Sequence, residues 1–356
     1  MKSTVFFIPT GDKEPEQSVV KKINRLIVES KLFDSFLQGA ECVIKLHFGE
    51  QGNTGFVRPR YVGTIVRYLK RMGLSVFLSD TNTLYRGKRT NCKDHLLLAQ
   101  QHGFTERNTS APVIIPDDND PNQVVEVSYA GKYVTVAKIC RIFLDTDYLV
   151  SVAHFKGHIM TGFGGAIKNI GMGCATRAGK LFQHVEVSPI IKLNNCRGCQ
   201  ACVLVCPKGA ITLNQQKATV DQRLCIGCAS CIAACRYRAI DVPWESGADI
   251  IQEKMVEYAN AVLSRKKDKA VFINFCLKIT AECDCIAKDD PALLPDVGIL
   301  ASSDPVAVDK ASMDCCIELA GYDIFKKAHP KRDGLKQLIY AEKIGLGTTT
   351  YELVRL

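Results

Sequence analysis

The chain has 356 residues, which at roughly 150 residues per domain is enough for two or three domains and a sizeable buried core. Hydrophobic residues make up 47% and charged residues 23%, ordinary values that exclude a disordered chain. The count of seventeen cysteines is unusual. Because the first residues lack the apolar segment of a signal peptide, we expect reduced thiols in the cytoplasm rather than a secreted disulfide scaffold.

The formal charge is +9, from 46 basic and 37 acidic residues. This excess suits an acidic protein, a phosphorylated cofactor or a nucleic acid as partner. Nucleic-acid binding is not expected, because the basic residues form no stripe interleaved with aromatic side chains. No apolar run approaches the roughly 20 residues that cross a bilayer, so we expect a soluble protein without a membrane partner.

Short β-rich runs alternate with helical stretches in the first half of the chain. The pattern predicts strands at 42–46, 74–78 and 145–152, and helices at 61–72 and 94–102. Such alternation is typical of an α/β sheet. Asp80 and Asn82 follow the second strand, where open α/β sheets place their ligand-binding loops, and are candidate cofactor-binding residues.

Two copies of the pattern C-x-x-C-x-x-C-x-x-x-C occur in the middle of the chain. The eight residues are Cys196, Cys199, Cys202, Cys206, Cys225, Cys228, Cys231 and Cys235. The fuller repeat, CRGCQACVLVCPKGAI against CIGCASCIAACRYRAI, also matches at Gly, Ala and Ile positions and indicates an internal duplication. Three thiolates on a tight loop suit one face of a cubane cluster, with the fourth directed toward a second cluster. Zinc is the alternative, because zinc ribbons also use C-x-x-C pairs.

Residues 191–243 resemble the bacterial two-cluster ferredoxin module. The resemblance implies two [4Fe-4S] clusters with exchanged ligands. One cluster would be held by Cys196, Cys199, Cys202 and Cys235, and the other by Cys225, Cys228, Cys231 and Cys206. Arg236 stands where such modules carry proline, a departure that is expected to loosen the second loop slightly. Residues 192–242 contain seven basic and two acidic residues, so we expect an acidic electron donor such as ferredoxin or flavodoxin.

The α/β pattern resumes after these cysteines. It predicts a helix at 248–263, strands at 270–275 and 297–300, and a helix from Asp304 and Pro305 to about residue 319. The predicted fold is therefore an α/β body with an open, mostly parallel sheet, formed by residues 1–190 and 244–356. A small α+β ferredoxin module, residues 191–243, is inserted between the two parts.

The segment 154–174, HFKGHIMTGFGGAIKNIGMGC, is dense in glycine. Glycines let backbone N–H groups approach an anion, and Lys168 adds positive charge, so a phosphate or carboxylate nest with Gly164 and Gly165 is expected. The standard dinucleotide and P-loop fingerprints are not matched here. His154 and His158 in this segment are candidate catalytic residues, with satisfied polar packing as the alternative.

The runs IKLHFGEQGN, SDTNTLYRG, HFKGHIMTGFGGAIKNIGMG and ECDC resemble the "domain of unknown function 362" family of iron–sulfur proteins over nearly the whole chain. The activity of that family is largely unassigned. His158, Gly164, Gly165, Lys168 and His184 also resemble, more weakly, the catalytic domain of the lactate racemase family, which holds a nickel-pincer nucleotide. That resemblance implies an acid/base role for His158, cofactor attachment for Lys168 and metal ligation for His184.

Nine cysteines lie outside the module, and most are expected to be buried as small apolar groups. Cys283 and Cys285 differ, because they place two thiols on one face of an extended segment. Together with Cys174 they would form an incomplete cluster or another metal site that is open to substrate. A redox dithiol and a structural pair are the alternatives.

Three functions fit these patterns. The leading hypothesis is an iron–sulfur oxidoreductase of an anaerobe, whose module passes single electrons to a substrate or extra metal site in the body. His154, His158, Lys168 and His184 would carry the chemistry on a small-molecule or protein substrate. The second hypothesis is an electron carrier or scaffold without its own catalytic site, and the third is a nickel-dependent, isomerase-like enzyme. The sequence does not decide between a monomer and a homo-oligomer.

Overall fold

The structure is a computed structural model that describes residues 2–85, 87–184, 189–242 and 250–356. The strands are β1 (Ser3–Pro9), β2 (Glu41–Lys45), β3 (Ser75–Ser79), β4 (Val113–Ile114), β5 (Val124–Ser128), β6 (Val136–Cys140), β7 (Tyr148–His154), β8 (Lys156–His158), β9 (Gly162–Gly164), β10 (Ile190–Ile191), β11 (Ile211–Asn214), β12 (Lys217–Val220), β13 (Ile240–Asp241), β14 (Ala270–Cys276), β15 (Gly298–Ser302) and β16 (Tyr351–Arg355). The helices are α1 (Glu16–Ser30), α2 (Pro59–Arg71), α3 (Cys92–Gln101), α4 (Glu106–Thr109), α5 (Ile142–Asp145), α6 (Ala166–Gly171), α7 (Arg177–His184), α8 (Ala201–Leu204), α9 (Ser230–Ala234), α10 (Ile251–Leu263), α11 (Pro305–Ala320), α12 (Ile324–Ala328) and α13 (Leu335–Lys343), with a 3₁₀ turn at Pro121–Gln123.

One eight-stranded sheet forms the body, in the order β16-β1-β15-β14-β7-β2-β3-β4. Only β15 is antiparallel to its neighbours β1 and β14, and the other pairs are parallel. The predicted α/β class with a mostly parallel sheet is confirmed. Strands β7 and β14 are buried along their whole length, as expected for central parallel strands that are covered on both faces.

Each face of the sheet carries its own apolar core. Along β2, Val43 packs into one core, which also contains residues of α6, α10 and α11, whereas Cys42 and Ile44 pack into the other core with α1 and α2. This alternation follows from the two-residue period of a strand. Helix α11 begins as predicted, because the Asp304 carboxylate accepts hydrogen bonds from the N–H groups of Val306 and Ala307.

Four neighbouring parallel strands end at the same edge of the sheet. Lys45 ends β2, Ser79 ends β3, His154 ends β7 and Cys276 ends β14. Because the carboxyl ends of parallel strands lie side by side, the segments that follow them converge, and this edge is the usual ligand-binding edge of an open α/β sheet. The residue ranges around 154–184 and 277–285 meet there.

The cysteine-rich segment forms a small unit between α7 and α10. It contains the hairpin β11–β12, the two short helices α8 and α9, and a second ladder in which β10 pairs with β13. In that ladder Ile191 lies opposite Ile240, so the chain leaves the body and returns at the same place. Leu84 and Leu181 of the body pack into the apolar cluster of this unit. The predicted boundary at residue 243 and the predicted start of α10 at 248 lie outside the described residues.

Among the described residues, no helix combines the length and the apolar character that crossing a bilayer requires.

Candidate metal centres and a basic cavity

Two small cavities in the inserted unit are each lined by four cysteines, and each has a volume of about 20 Å³. The first set is Cys196, Cys199, Cys202 and Cys235. The second set is Cys206, Cys225, Cys228 and Cys231. Each cavity therefore takes three cysteines from one half of the repeat and the fourth from the other half. The chain could hold one metal group in each set.

The backbone repeats the sequence duplication. Left-handed conformations recur at equivalent positions of the two halves, with φ values of 64° and 65° at Gly198 and Gly227, 63° and 62° at Gln200 and Ala229, and 60° and 52° at Gly209 and Arg238. The two halves thus follow the same path, although one of the six positions carries a bulky side chain where its counterpart is glycine.

Backbone N–H groups point at several of these sulfur atoms. Ala210 N–H donates to Cys206 Sγ at 3.2 Å, and at the equivalent place Ala239 N–H donates to Cys235 Sγ at 3.3 Å. The bond is thus retained beside Arg236, where a looser loop was expected. Ala218 N–H donates to Cys196 Sγ at 3.3 Å and lowers the pKa of that thiol. Such bonds stabilise a thiolate and tune a metal group that it binds.

A third candidate metal site lies in the body. The ligand atoms of His158, Cys283 and Cys285 lie within 4.8 Å of one another. Cys174, the expected third member, does not belong to this group: its thiol is buried near the end of α6, and its carbonyl accepts a hydrogen bond from Cys140 N–H at 3.0 Å. Sequence reasoning singled out His158 for another role and had no signal that joins it to two cysteines so distant in the chain.

The two thiols of this site are not equivalent. The hydrogen bond from Cys285 holds the pKa of Cys283 well below its ordinary value, against the effect of burial. The Lys168 ammonium, with Nζ 3.4 Å from Cys283 Sγ, adds to that lowering. The same hydrogen bond raises the pKa of Cys285. The pair thus favours one thiolate and one thiol, and a metal would displace the remaining proton.

His158 is held at one ring nitrogen. Its Nδ1 lies 2.9 Å from Thr161 Oγ1, and this hydroxyl donates to the Phe163 carbonyl at 2.7 Å. The N–H groups of Met160 and Thr161 also donate to Nδ1, each at 3.2 Å, so the ring is held at Nδ1 and Nε2 is the nitrogen that a metal would take. Burial lowers the pKa of His158 well below its ordinary value, and Lys168 contributes to that shift, so the imidazole is neutral, the form that binds metals.

Asp284 anchors the segment between the two cysteines. Its fully buried carboxylate lies 2.9 Å from His154 Nδ1 and 3.0 Å from Lys156 Nζ. Burial alone would raise the pKa of Asp284, but His154 and Lys156 lower it. The other ring nitrogen of His154 contacts the Leu277 carbonyl at 3.0 Å. With both ring nitrogens engaged, His154 positions the Cys-Asp-Cys segment.

A cavity of about 110 Å³ lies at the carboxyl edge of the sheet. Its lining includes most of the body residues singled out from sequence, namely Asp80, His154, His158, Gly164, Gly165, Lys168, His184, Cys283 and Cys285. Asn82 is not among its lining residues: its amide donates to Cys92 Sγ at 3.3 Å and to the Pro116 carbonyl at 3.4 Å. Burial lowers the pKa of His184 to about 3, so this imidazole is neutral as well.

Basic groups line the same cavity. Lys45 Nζ lies 2.9 Å from Asp80, and Arg89 contacts both Asp80 and Glu50 at 3.4 Å. Burial raises the pKa of Asp80, but Lys45, His95 and Arg89 outweigh it and lower the value to about 2. One sequence signal could have revealed Lys45, because it is the single charge in the otherwise apolar run 42–46. Arg89 and Lys180 had none.

The glycines of segment 154–174 serve close packing. A Cβ on Gly164 would lie 2.8 Å from the Lys168 side chain, and one on Gly165 would lie 2.2 Å from the Asp309 carboxylate. The N–H groups of Ala166 and Ile167 donate to that same carboxylate at 2.7 and 2.9 Å. The amides at the start of α6, where an anion nest was expected, already bind a carboxylate of the chain itself.

A larger cleft of about 1530 Å³ separates the inserted unit from this edge. Cys235 and Leu204 line it on one side, and Ile286 lines it on the other. Five residues line both the cleft and the 110 Å³ cavity, namely Tyr85, His158, His184, Cys283 and Cys285. One cysteine of the first set, Cys235, therefore faces the same open space as the candidate metal site of the body.

The profile of the family described as "Domain of unknown function (DUF362)" matches residues 42–314. A search of curated proteins gives no significant match. A crystal structure of a Thermotoga maritima protein, a structural genomics target, aligns with a TM-score of 0.44 and 13% identity over 88% of this chain and 60% of that one. The lactate racemase apoprotein from Thermoanaerobacterium thermosaccharolyticum aligns with a TM-score of 0.38 and 13% identity over 78% of this chain and 51% of that one. The matched regions thus cover less than two thirds of either solved chain.

Proposed function

The chain belongs to the DUF362 family, and from this premise we propose that it is an iron–sulfur oxidoreductase whose inserted unit passes single electrons to a metal or substrate site in the body. The observation that carries this proposal is the shared cleft. Cys235 of the first cysteine set lines it together with Cys283 and Cys285. A carrier protein alone has no need of a second, buried set of sulfur and imidazole ligands that opens onto the same cleft.

The inserted unit fits two [4Fe-4S] clusters by its donor chemistry. Four thiols surround each cavity, and apolar side chains such as Ile191 and Ile226 complete the lining. The N–H groups of Ala210, Ala218 and Ala239 donate to cysteine sulfurs. Bound clusters would supply one-electron transfer. Four thiols per cavity also suit zinc, so metal analysis is needed to choose between them.

The body site fits one soft metal ion. One imidazole and two thiolates suit iron, zinc or copper(I), and three protein ligands leave a coordination position open. Lys168 stabilises the thiolate of Cys283, and Thr161 holds His158 in a fixed orientation. The imidazole of His184 lines the same cavity and is neutral, because burial lowers its pKa to about 3.

The electron donor that we propose is a small acidic redox protein. The segment 192–242 has seven basic and two acidic residues, and six of the basic ones, all except Lys217, are exposed. Lys208 also borders the second cysteine set. Complementary charge speeds the encounter of two redox proteins and weakens with salt.

The test is a metal analysis of protein purified without oxygen. We expect about 8 iron atoms and 8 sulfide ions per chain in the unit, and one further metal equivalent in the body. Exchange of Cys283 and Cys285 for alanine should remove only that further metal, and Cys315→Ala, another buried cysteine, should remove none. Absence of iron, or zinc in its place, would overturn the proposal. About 8 iron atoms without a body metal would favour a carrier.

A second candidate function is a metal-dependent isomerase with a structural inserted unit. It is favoured by one observation, that His158, Lys168 and His184 line one cavity. Lys168 would then attach the nickel-binding cofactor. This candidate would be supported if the purified protein contained nickel and the Lys168→Ala variant did not. It would be excluded if Lys168→Ala left the metal content of the body unchanged.

A further inference from the structure

The 110 Å³ cavity holds more buried cations than an ordinary protein interior. Its wall includes five basic side chains: Lys45, Arg89, Lys156, Lys168 and Lys180. Four of them, all except Lys168, are less than 10% exposed. Because a buried ammonium or guanidinium group is strongly unfavourable without a counter-charge, each of these groups requires a negative partner.

The chain supplies such partners for most of them. Asp80 lies 2.9 Å from Lys45, and Asp284 lies 3.0 Å from Lys156. Glu50 lies 3.4 Å from Arg89. Lys168 faces the Cys283 sulfur, which favours the thiolate.

Lys180 is the exception. Its Nζ contacts only neutral oxygen atoms, those of the Thr81 hydroxyl and of the Thr81 and Asn82 carbonyls. Within the described ranges no carboxylate lies within 4.0 Å of it. Burial lowers the pKa of Lys180 to about 8, as expected for an ammonium group without a direct counter-ion.

Arg89 has spare donor capacity at the same wall. Its Nε and Nη1 atoms face Glu50 and Asp80, but the buried Nη2 atom has no hydrogen-bond partner among the described residues. A guanidinium N–H at a cavity wall is a strong donor to carboxylate and other oxyanions. Arg89, with its unpartnered donor, and Lys180, with no carboxylate within 4.0 Å among the described residues, thus both line one small cavity.

We propose that this cavity binds a small oxyanion through Lys180 and Arg89, next to the His158, Cys283 and Cys285 group. The claim that this anion is the substrate rests on the proposed function. The claim that the cavity binds an anion does not depend on it. A volume of about 110 Å³ accommodates roughly eight water-sized probes, which limits the ligand to a few atoms. A short carboxylate and an inorganic oxyanion share this chemistry. The amides of α6 are not available to the anion, because Asp309 already occupies them.

The test is calorimetric titration of the anaerobically purified protein with acetate, oxalate, sulfate and phosphate. We expect at least one to bind with a dissociation constant below 1 mM, on the order of the affinities of other small-ligand sites. Lys180→Met should weaken that binding at least tenfold. Lys266→Met is the matched control and should change it less than twofold: Lys266 is also buried and also contacts backbone carbonyls, those of Leu144 and Thr146, but does not line this cavity.

The four anions distinguish a carboxylate ligand from an inorganic oxyanion. If the natural ligand is a carboxylate, acetate or oxalate should bind more tightly than sulfate and phosphate. Arg89→Lys keeps the positive charge but removes Nη2, and should weaken binding severalfold. The wild-type melting temperature should also rise with the bound anion, a readout that remains if a variant does not fold. No binding of any of the four, or equal weakening in Lys180→Met and Lys266→Met, would overturn the proposal. Binding retained in a protein without iron would instead refute only the proposed redox function.

Discussion

The inserted unit collects its eight cysteines from residues 196–235, whereas the body joins His158 to Cys283 and Cys285 through the central sheet. In the unit, short loops hold the thiols, and Cys199 is exposed. In the body, His158 ends β8, Cys283 and Cys285 lie in the loop after β14, and Asp284 between the two cysteines is fully buried. Donor geometry in the unit follows from local spacing, and in the body it requires the complete fold.

The charges of the two regions differ in the same way. Asp221 of the unit pairs with Arg223, whose side chain is 90% exposed, whereas Asp284 of the body pairs with the buried Lys156 ammonium and contacts the buried His154 ring. Ion pairs in water contribute little, and breaking a buried pair is costly. We therefore expect the unit to depend for its stability on the metal groups that we propose for it, and the body to depend on its packing and its buried charges.

The largest effect is expected from paired cysteine substitutions in the unit. Cys196 and Cys235 line one cavity, so their joint exchange for alanine should remove one cluster and leave about 4 of about 8 iron atoms. Cys231 and Cys235 come from the same half of the sequence but line different cavities, so their joint exchange should remove both clusters. Iron analysis and electron paramagnetic resonance check both results, and an equal loss in the two variants would contradict the exchanged sets.

A large effect on stability is expected at Asp284. Asp284→Asn leaves Lys156 buried without its charge partner and should lower the free energy of unfolding by about 3–5 kcal/mol. The matched change in the unit, Asp221→Asn, removes an exposed pair and should lower the free energy of unfolding far less. Denaturant titration measures both. A similar loss of unfolding free energy in the two variants would show that burial does not make the ion pair of the body more important for stability than that of the unit.

A moderate, pH-dependent effect is expected at Lys180. Its pKa is about 8 in the folded protein and ordinarily 10.5, so the unfolded chain binds more protons between these values. The unliganded protein should therefore gain stability as pH rises from 8 to 10.5, by up to about 1.4 kcal/mol per pH unit. Lys180→Met should reduce this slope. If the free energy of unfolding of the variant rises with pH as steeply as that of the wild type, the pKa of Lys180 is not lowered in the folded protein.

The smallest effect is expected where the two halves of the unit differ. Arg238 adopts the left-handed conformation that Gly209 adopts in the first half. Arg238→Gly should relieve that strain and stabilise the unit by about 0.5–1 kcal/mol after the entropic cost of glycine. Arg197→Gly, at a position without positive φ, should instead destabilise by a similar amount. Thermal unfolding without oxygen measures the stability of both variants. If both substitutions stabilise the protein, or both destabilise it, the two halves do not share the left-handed conformation at this position.

The sequence was sufficient for features that depend on neighbours in the chain. The parallel sheet was readable from alternating patterns, and the start of α11 from Asp304 and Pro305. Helix α3 begins two residues before the predicted start, because Asn91 accepts a hydrogen bond from Asp94 N–H and caps it.

Features that depend on distant residues could not be predicted. Asp309 lies on α11, and nothing in the spacing indicates that it binds the amides that begin α6. The pairing of His158 with two cysteines and the approach of Lys180 to the loop after β3 arise only when the strand ends converge. The glycines of segment 154–174 show the same limit of prediction. Their density suggested an anion-binding nest, but in the structure they allow close packing of the backbone against side chains.

The strand order also has a consequence for the timing of synthesis. Strand β1 emerges from the ribosome well before both of its neighbours in the sheet, β15 and β16. Until residues 298–302 and 351–355 have been made, the apolar run Ser3–Pro9 has no partner strand. Unpaired apolar strands are prone to aggregate, and distant pairings close slowly. The nascent chain is therefore expected to rely on chaperones until its final strands are complete.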